Sequence, residues 1–252
     1  MNPIFRLVIR DIRATMDRSL ISIQIAFPVL LLFVSGYAYG GIVAPLHVGG
    51  RTVAYPTFLA AGAIELSIMF GSLFAGALVW ADRRLNMFQQ ILAGPFTRWQ
   101  YVLGKVGSSM LVGVAGAAVV SVIAIPTLLG LTLSPFSFVY IAAAVLLSAF
   151  FMGSAAIVIS TFVTSEQVFN ALFNLLVFVL MFVSSIYYPA QTAPQVLRDL
   201  FLLNPLTYSV DLLRFGLLGM WTPSLPYEVG LLAAEGSAAF AAAVLRFRNV
   251  RV

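Results

Sequence analysis

Two acidic residues, Glu65 and Glu235, stand inside long apolar stretches, and neither has a Lys or Arg within another such stretch as its partner. A charge at the centre of a bilayer costs about 2.5–3.5 kcal/mol on insertion scales, so each is a candidate for function, as a polar lining or a proton or cation site. The plainer reading is a protonated or hydrogen-bonded Glu at a helix contact, held by Ser, Asn or Tyr of a neighbour. No relay of further acids accompanies either residue. Little else could do chemistry. The one histidine, His47, stands in a connection, as an ordinary loop residue would. There is no cysteine, which excludes disulfides, thiol catalysis and cysteine-ligated metals. Gly104-Lys105 resembles the end of a P-loop, but residue 99 is Trp and no Ser or Thr follows Lys105. No catalytic residue, metal site or bound cofactor is expected on this chain.

A second chemically suggestive feature is a broken apolar segment, Tyr188–Trp221. It runs through Pro189 and Pro194 to Asn204-Pro205-Leu206-Thr207-Tyr208 and closes with Asp211, Arg214, Gly216 and Gly219. Backbone at membrane depth must be internally hydrogen-bonded unless protein covers it or it lines a cavity. Pro194 and Pro205 suit helix starts, and Asp211 and Arg214, at i and i+3, can neutralise one another. An outer lid lying flat on the membrane is the alternative to a gate.

These residues need a frame, and composition supplies its class. Hydrophobic residues make up 61% of the 252 and charged residues 9%, against about 25% charged in a soluble domain. The chain therefore reads as one all-α integral membrane domain over residues 1–252. Six stretches reach the roughly 20 apolar residues that cross a bilayer: Leu20–Tyr39, Thr57–Trp80, Val106–Leu129, Phe138–Phe162, Val168–Tyr187 and about Pro223–Leu245. Lys and Arg orient them. Arg6, Arg10, Arg13, Arg18, Arg83, Arg84, Arg98, Lys105, Arg246, Arg248 and Arg251 fall on one side, against Arg51, Arg198 and Arg214 on the other. Both termini are expected in the cytoplasm. A signal peptide does not fit, because the first apolar run outlasts a signal h-region and lacks a small-residue cleavage site.

Two polar-side pieces stand out. Residues Asn2–Asp17 have Phe5, Val8, Ile9, Ile12 and Met16 on one helical face and Arg6, Arg10, Arg13 and Asp17 on the other, the pattern of an interfacial helix or a simple basic anchor. In the connection Ala81–Lys105, Asp82 to Leu92 has helical period, with Leu85, Phe88 and Leu92 on one stripe, and Gly94-Pro95 ends it. Met87 and Ile91 lie off that stripe, which suits either a docking knob for a partner or a segment folded onto the bilayer.

In order, these features resemble the membrane subunits of type-2 ABC exporters, which move drugs, lipids and polysaccharides outward. The resemblance spans essentially the whole chain. It is carried by the amphipathic first helix, by Tyr55-Pro56-Thr57-Phe58-Leu59-Ala60-Ala61-Gly62 before the second span, and by Asp82-Arg83-Arg84 through Pro95-Phe96-Thr97-Arg98 and Gly104-Lys105. Its most specific part is Ser184-Ser185-Ile186-Tyr187-Tyr188-Pro189 followed by Asn204–Arg214. The family's loop has a Glu, then Gly and a second Glu before the Pro; here Asp82 takes the first place, and Asn86 and Gln89 stand for the others.

The resemblance implies an interfacial helix, six transmembrane helices, a cytoplasmic coupling helix between spans 2 and 3, and re-entrant half-helices between spans 5 and 6. It implies coupling to a separate ATP-binding subunit through Asp82, Arg83, Arg84, Met87, Phe88 and Ile91, with ATP and Mg held by that partner. It further implies a second permease copy (a homodimer or a paralogue pair) within the lipids of the plasma (inner) membrane. Tyr188, Pro189, Asn204, Pro205, Tyr208, Asp211 and Arg214 would form the outer gate. Nucleic acid is not an expected partner. The competing expectation is an ion-gradient-driven secondary transporter or channel using Glu65 and Glu235.

Overall fold

The computed structural model describes residues 3–15, 18–84, 87, 97–128, 131–163 and 165–249. Met16, Asp17, Leu85, Asn86, Phe88, Gln89, Ile91, Leu92, Gly94, Pro95 and Phe96, to which the sequence assigns helix faces or coupling-loop positions, lie outside the described residues, as does Arg251.

Among the described residues, four helices are long and apolar enough to cross a membrane. They are α4 (Tyr55–Arg84), α5 (Arg98–Ala124, prolonged by a short 3₁₀ turn Ile125–Thr127), α6 (Pro135–Phe162) and α10 (Leu225–Asn249). Two shorter apolar stretches, Gln24–Gly40 and Gln167–Phe182, stand beside them. The first belongs to α2 (Arg18–Leu30) and α3 (Gly36–Gly40), joined by a π turn at Leu31–Ser35. Pro28 inside α2 removes a donor from the helical ladder, a local cause for the irregular winding that follows. The second is α7 (Glu166–Phe182), which stops five residues before the Tyr187 boundary read from hydropathy. Apolar residues continue past Phe182, but the carbonyls of Leu180 and Val183 are taken by the Asn204 side chain, so the helix ends there.

Helix ends follow local chemistry. Ser134 and Ser137 form a capping box around Pro135 at the first position of α6, and Thr97 and Gln100 form one for α5. Asn204 caps α9 (Pro205–Leu218), accepting from the Leu206 amide at 3.0 Å, and Gly219 ends it with φ +65°. A two-turn helix, α8 (Gln195–Phe201), precedes it.

Helix α4 is the centre of the bundle: Phe58 to Met69 are essentially inaccessible, and α4 contacts α5, α6, α9 and the α2–α3 stretch. Glycine permits those approaches. A Cβ at Gly62 would lie 2.7 Å from Ile186 Cγ2, and one at Gly71 would lie 2.7 Å from the Gly113 Cα of α5. A second, smaller core of Leu7, Val79, Tyr101, Val102, Val106, Ile157, Ala243 and Phe247 lies where α1 (Pro3–Thr15) meets α4, α5, α6 and α10.

Two findings go beyond the sequence reading. Helix α1 turns Leu7 and Asp11, at i and i+4, into the protein, while Phe5 is 55% exposed. The side turned into the protein is thus a different one from the stripe of Phe5, Val8, Ile9 and Ile12 that the interfacial reading sets against the membrane, and Asp11 there meets the buried Lys105 and the part-exposed Arg10. The chain is also not wholly helical. Strands β1 (Leu46–Val48) and β2 (Arg51–Val53) pair antiparallel, with Val48 opposite Arg51. Gly49 and Gly50 at the turn have φ +57° and +74°, the double positive φ that a two-residue hairpin turn demands.

Candidate functional site

The structure brings the candidate residues together as polar clusters at the two ends of α4, with Glu65 between them. At the α1 end, Asp82 in the last turn of α4 receives Lys105 Nζ at 2.7 Å, Arg10 Nη2 at 2.9 Å and the Tyr101 hydroxyl at 2.8 Å. Asp11 receives the same Lys105 at 3.0 Å and Arg10 at 2.7 Å, and Ser108 donates to it at 3.4 Å. Two cations and two carboxylates thus form a neutral set, with Lys105 fully buried and Asp11 1% exposed. Burial works against the Arg10 charge, but Asp11, aided by Asp82, outweighs it and raises the guanidinium pKa above the ordinary arginine value.

The set clamps the stem of the 85–97 connection. Asp82 precedes that connection, Tyr101 and Lys105 follow it, and α1 lies across both. Neighbouring arginines extend the clamp: Arg83 donates to the Ser160 carbonyl at 2.8 Å near the end of α6, and Arg98 donates to the Phe247 carbonyl at 2.9 Å near the end of α10. Cations at helix C-termini complement the free carbonyls there. Arg84 lies 5.9 Å from the Trp80 ring centre, and Met87 is half-buried. Asp82, expected to face a partner, has its carboxylate turned inward, with the residue 6% exposed.

At the opposite end, Arg214 of α9 is buried and heavily engaged. It contacts Asp211 at 2.9 Å, the Ser185 hydroxyl at 3.1 Å, the Ser185 carbonyl at 2.6 Å and the Ile186 carbonyl at 3.3 Å. Its guanidinium carbon lies 3.7 Å from the Phe58 ring centre, a cation–π contact with α4. The Ser185 hydroxyl in turn donates to Asp211 at 3.2 Å. One arginine therefore binds α9, the Ser184–Tyr188 turn and the start of α4.

Asn204 joins the other end of α9 to α7. Its amide donates to the Leu180 carbonyl at 2.8 Å and to the Val183 carbonyl, while its oxygen caps α9. Tyr208 donates to the Leu202 carbonyl, and Tyr188 packs on Phe201 with ring centres 5.6 Å apart. Pro189, Asp211 and Arg214 line a cavity of about 20 Å³ with Val48, Met220 and Thr222, roughly the space of one water.

Glu65 is fully buried in α4, and its two carboxylate oxygens accept from the hydroxyls of Ser148 on α6 and Ser209 on α9. Three helices meet at this one side chain. Glu235 on α10 is placed differently, with its Oε2 buried and without a hydrogen-bond partner among the described residues.

Sequence reasoning missed most of the partners. The helical pattern gives Asp11 no face, and Lys105 figures there as an orienting charge and as part of the Gly104-Lys105 dipeptide, not as a partner of Asp11 or Asp82. Ser185 and Phe58 appeared only as parts of longer strings, and Ser148 and Ser209 were not singled out as partners of Glu65. One signal was readable: the i, i+4 pair Leu7 and Asp11 sets a carboxylate beside an apolar residue on α1, which calls for a buried cation. Gln24 is a comparable omission. Buried at 3%, it donates to the Val112 carbonyl at 3.2 Å and the Ser67 carbonyl at 3.4 Å, tying α2 to α5 and α4.

A bundle of long apolar helices, with ion pairs at both ends of α4 and Glu65 held by hydroxyls between them, defines a multi-pass membrane protein. A family model described as ABC-2 type transporter matches residues 3–218, so the chain belongs to that family, as a type-2 ABC permease subunit. The match covers both polar clusters. Membership implies, in general terms, an ABC ATP-binding partner. No curated protein matches the chain significantly.

Proposed function

We propose that this permease is the membrane-spanning part of an ATP-driven exporter, moving a lipid, drug or polysaccharide outward with an ATP-binding subunit on a separate chain that holds ATP and Mg. The observation that carries the reading is the family match across residues 3–218. In this reading the chain crosses the plasma (inner) membrane six times, with both termini in the cytoplasm. The α2–α3 stretch and α7 complete the crossings made by α4, α5, α6 and α10. The 17 residues of α7 span about 25 Å, short of the roughly 30 Å hydrocarbon core, and the residues after Phe182 carry the chain onward. A second copy, or a paralogue, completes the pathway.

The 85–97 connection is the proposed coupling element. Met87, Phe88 and Ile91 offer adaptable apolar contacts to the ATPase, and Arg83 and Arg84 flank them. Asp82 serves from inside, holding the stem to α1 and α5 so that a push on the connection reaches α4 rather than being lost in a loose loop. At the far end, the re-entrant pair α8–α9 is the outer gate, with Asn204-Pro205 as its hinge and Tyr188, Pro189, Tyr208, Asp211 and Arg214 shaping its mouth. Helix α4 connects the two, touching the gate through Phe58 to Arg214 and through Glu65 to Ser209.

The ion-gradient reading would draw on Glu65 and Glu235. Glu65 has both oxygens committed to serine hydroxyls, which suits a helix contact better than an exchanging ion site. The test is to purify the tagged chain from its own cells and assay ATP-dependent substrate efflux in vesicles. An ATP-binding subunit should co-purify, and transport should require ATP. Flux that follows an imposed ion gradient with no ATPase present would favour the other reading.

A further inference from the structure

The β1–β2 hairpin has no role in the exporter reading, yet its tip sits on the end of the gate helix. A Cβ at Gly49 would lie 2.8 Å from the Met220 carbonyl carbon and 2.9 Å from Met220 Cα and Cβ, so nothing larger than glycine fits against that backbone. Gly50 makes the same positive-φ demand, but a Cβ there would meet nothing within 4 Å. One glycine therefore serves the turn alone, and the other serves a contact as well.

Arg51 completes that contact. Its Nη2 lies 3.3 Å from where a Cβ of Gly219 would stand, placing a cation over the C-terminal end of α9, where it complements the free carbonyls. Beside it the Thr132 amide donates to the Leu217 carbonyl at 3.1 Å. Val48 of β1 shares the small cavity with Pro189, Asp211, Arg214 and Met220. The rim end of α9 is thus gripped from outside, while its buried end is held by Ser209 on Glu65. The hairpin also runs directly into α4, since Val53 is followed by Ala54 and Tyr55.

We propose that the β1–β2 hairpin is a clasp on the outer gate, with Gly49 and Arg51 as positioning residues that seat it on Gly219–Met220. Lifting the clasp lets the rim end of α9 tilt about its buried Glu65 contact; reseating it closes the mouth. The two-stranded ribbon is marginal alone, so it keeps its shape best when seated. This inference rests on the exporter reading, in which α9 belongs to a gate.

The chain contains no cysteine, so a double substitution reports without background. Val48→Cys with Met220→Cys places two thiols on the lining of the same small cavity and adds no atom at Gly49, so the seat itself stays intact. Copper(II) phenanthroline oxidises the two thiols to a disulfide, two copper(II) centres each taking one electron while the two S–H protons pass to solvent. In the complex with its ATPase, the bond is expected to form readily at rest and several-fold more slowly during ATP turnover. Once formed, it should cut ATP hydrolysis several-fold, with recovery on adding dithiothreitol. Failure to cross-link at rest, one cross-linking rate with and without turnover, or an unchanged hydrolysis rate after locking overturns the proposal.

A matched pair that needs no ATPase covers the case of a misfolded double variant. Gly49→Ala and Gly50→Ala both strain the turn, but only the first collides with Met220. With Thr222→Cys as reporter, a membrane-impermeant maleimide should label the Gly49→Ala chain several-fold faster than the Gly50→Ala chain; equal rates overturn the clasp. If no ATP-binding subunit associates with the chain, the exporter reading fails, and the alanine pair still decides whether the hairpin covers the cavity.

Discussion

Lys105 joins two carboxylates from different helices, Asp11 of α1 and Asp82 of α4. It is a fully buried ammonium shared by Asp11 and Asp82, with Arg10 balancing the second carboxylate. A buried ion pair contributes little net stability when intact, but removing one partner strands a charge and costs about 3–5 kcal/mol. Lys105→Met should therefore lower the thermal midpoint in detergent markedly. Lys105→Met with Asp11→Asn should lower it less than the single change, and a double variant at least as unstable as Lys105→Met would argue against the clamp. Glu65 yields the opposite expectation. Its oxygens accept from two hydroxyls, and Gln keeps one acceptor, so Glu65→Gln should fold and retain ATP-dependent efflux. Loss of efflux with normal folding would revive the ion-site reading. Sequence singled out Glu65 because a lone acid in an apolar run is conspicuous. It could not show Ser148 and Ser209, which lie 83 and 144 positions away and are unremarkable as serines within apolar helices.

Among the elements, α9 depends on one residue for two separate tasks. The Asn204 oxygen caps α9, and its amide nitrogen ends α7. Asn204→Asp keeps the cap acceptor and loses the donor, whereas Asn204→Ala loses both. The alanine change should cost about 1–2 kcal/mol as a cap loss, with a further cost of about 1–3 kcal/mol for the carbonyls left bare. Asp also sets a buried carboxylate against the Leu180 and Val183 carbonyl oxygens, so denaturation should rank wild type above both variants, with Asp no better than Ala; equal stability of Asp and wild type would remove the proposed link from α7 to α9. Helix boundaries were legible in the sequence where caps are local, as at Ser134-Pro135 and Asn204-Pro205. The α7 end was not, because a side chain 21 residues downstream of Val183 sets it. The hairpin had a local signal in Gly49-Gly50 between β-formers, which a search for apolar spans passes over.

For the whole molecule, the membrane class was legible in composition alone, while the orientation remains an expectation drawn from the Lys and Arg pattern. What hydropathy cannot show is that α4, rather than any other span, is the shielded axis of the bundle. That depends on small residues meeting across helices, such as Gly71 with Gly113. Helix α4 is the proposed line between the 85–97 connection and the proposed α8–α9 gate, with the ion cluster keeping that line taut at its base. The most direct test of this central claim measures the partner ATPase reconstituted with wild-type, Met87→Asp and Phe88→Asp chains. The wild-type chain should bind the ATPase and change its rate of ATP hydrolysis. Each Asp variant should remain folded by thermal unfolding while losing ATPase binding, or retaining it without any effect on hydrolysis. If both variants bind and couple as wild type does, the 85–97 connection is not the coupling element, and the proposed route through α4 is contradicted.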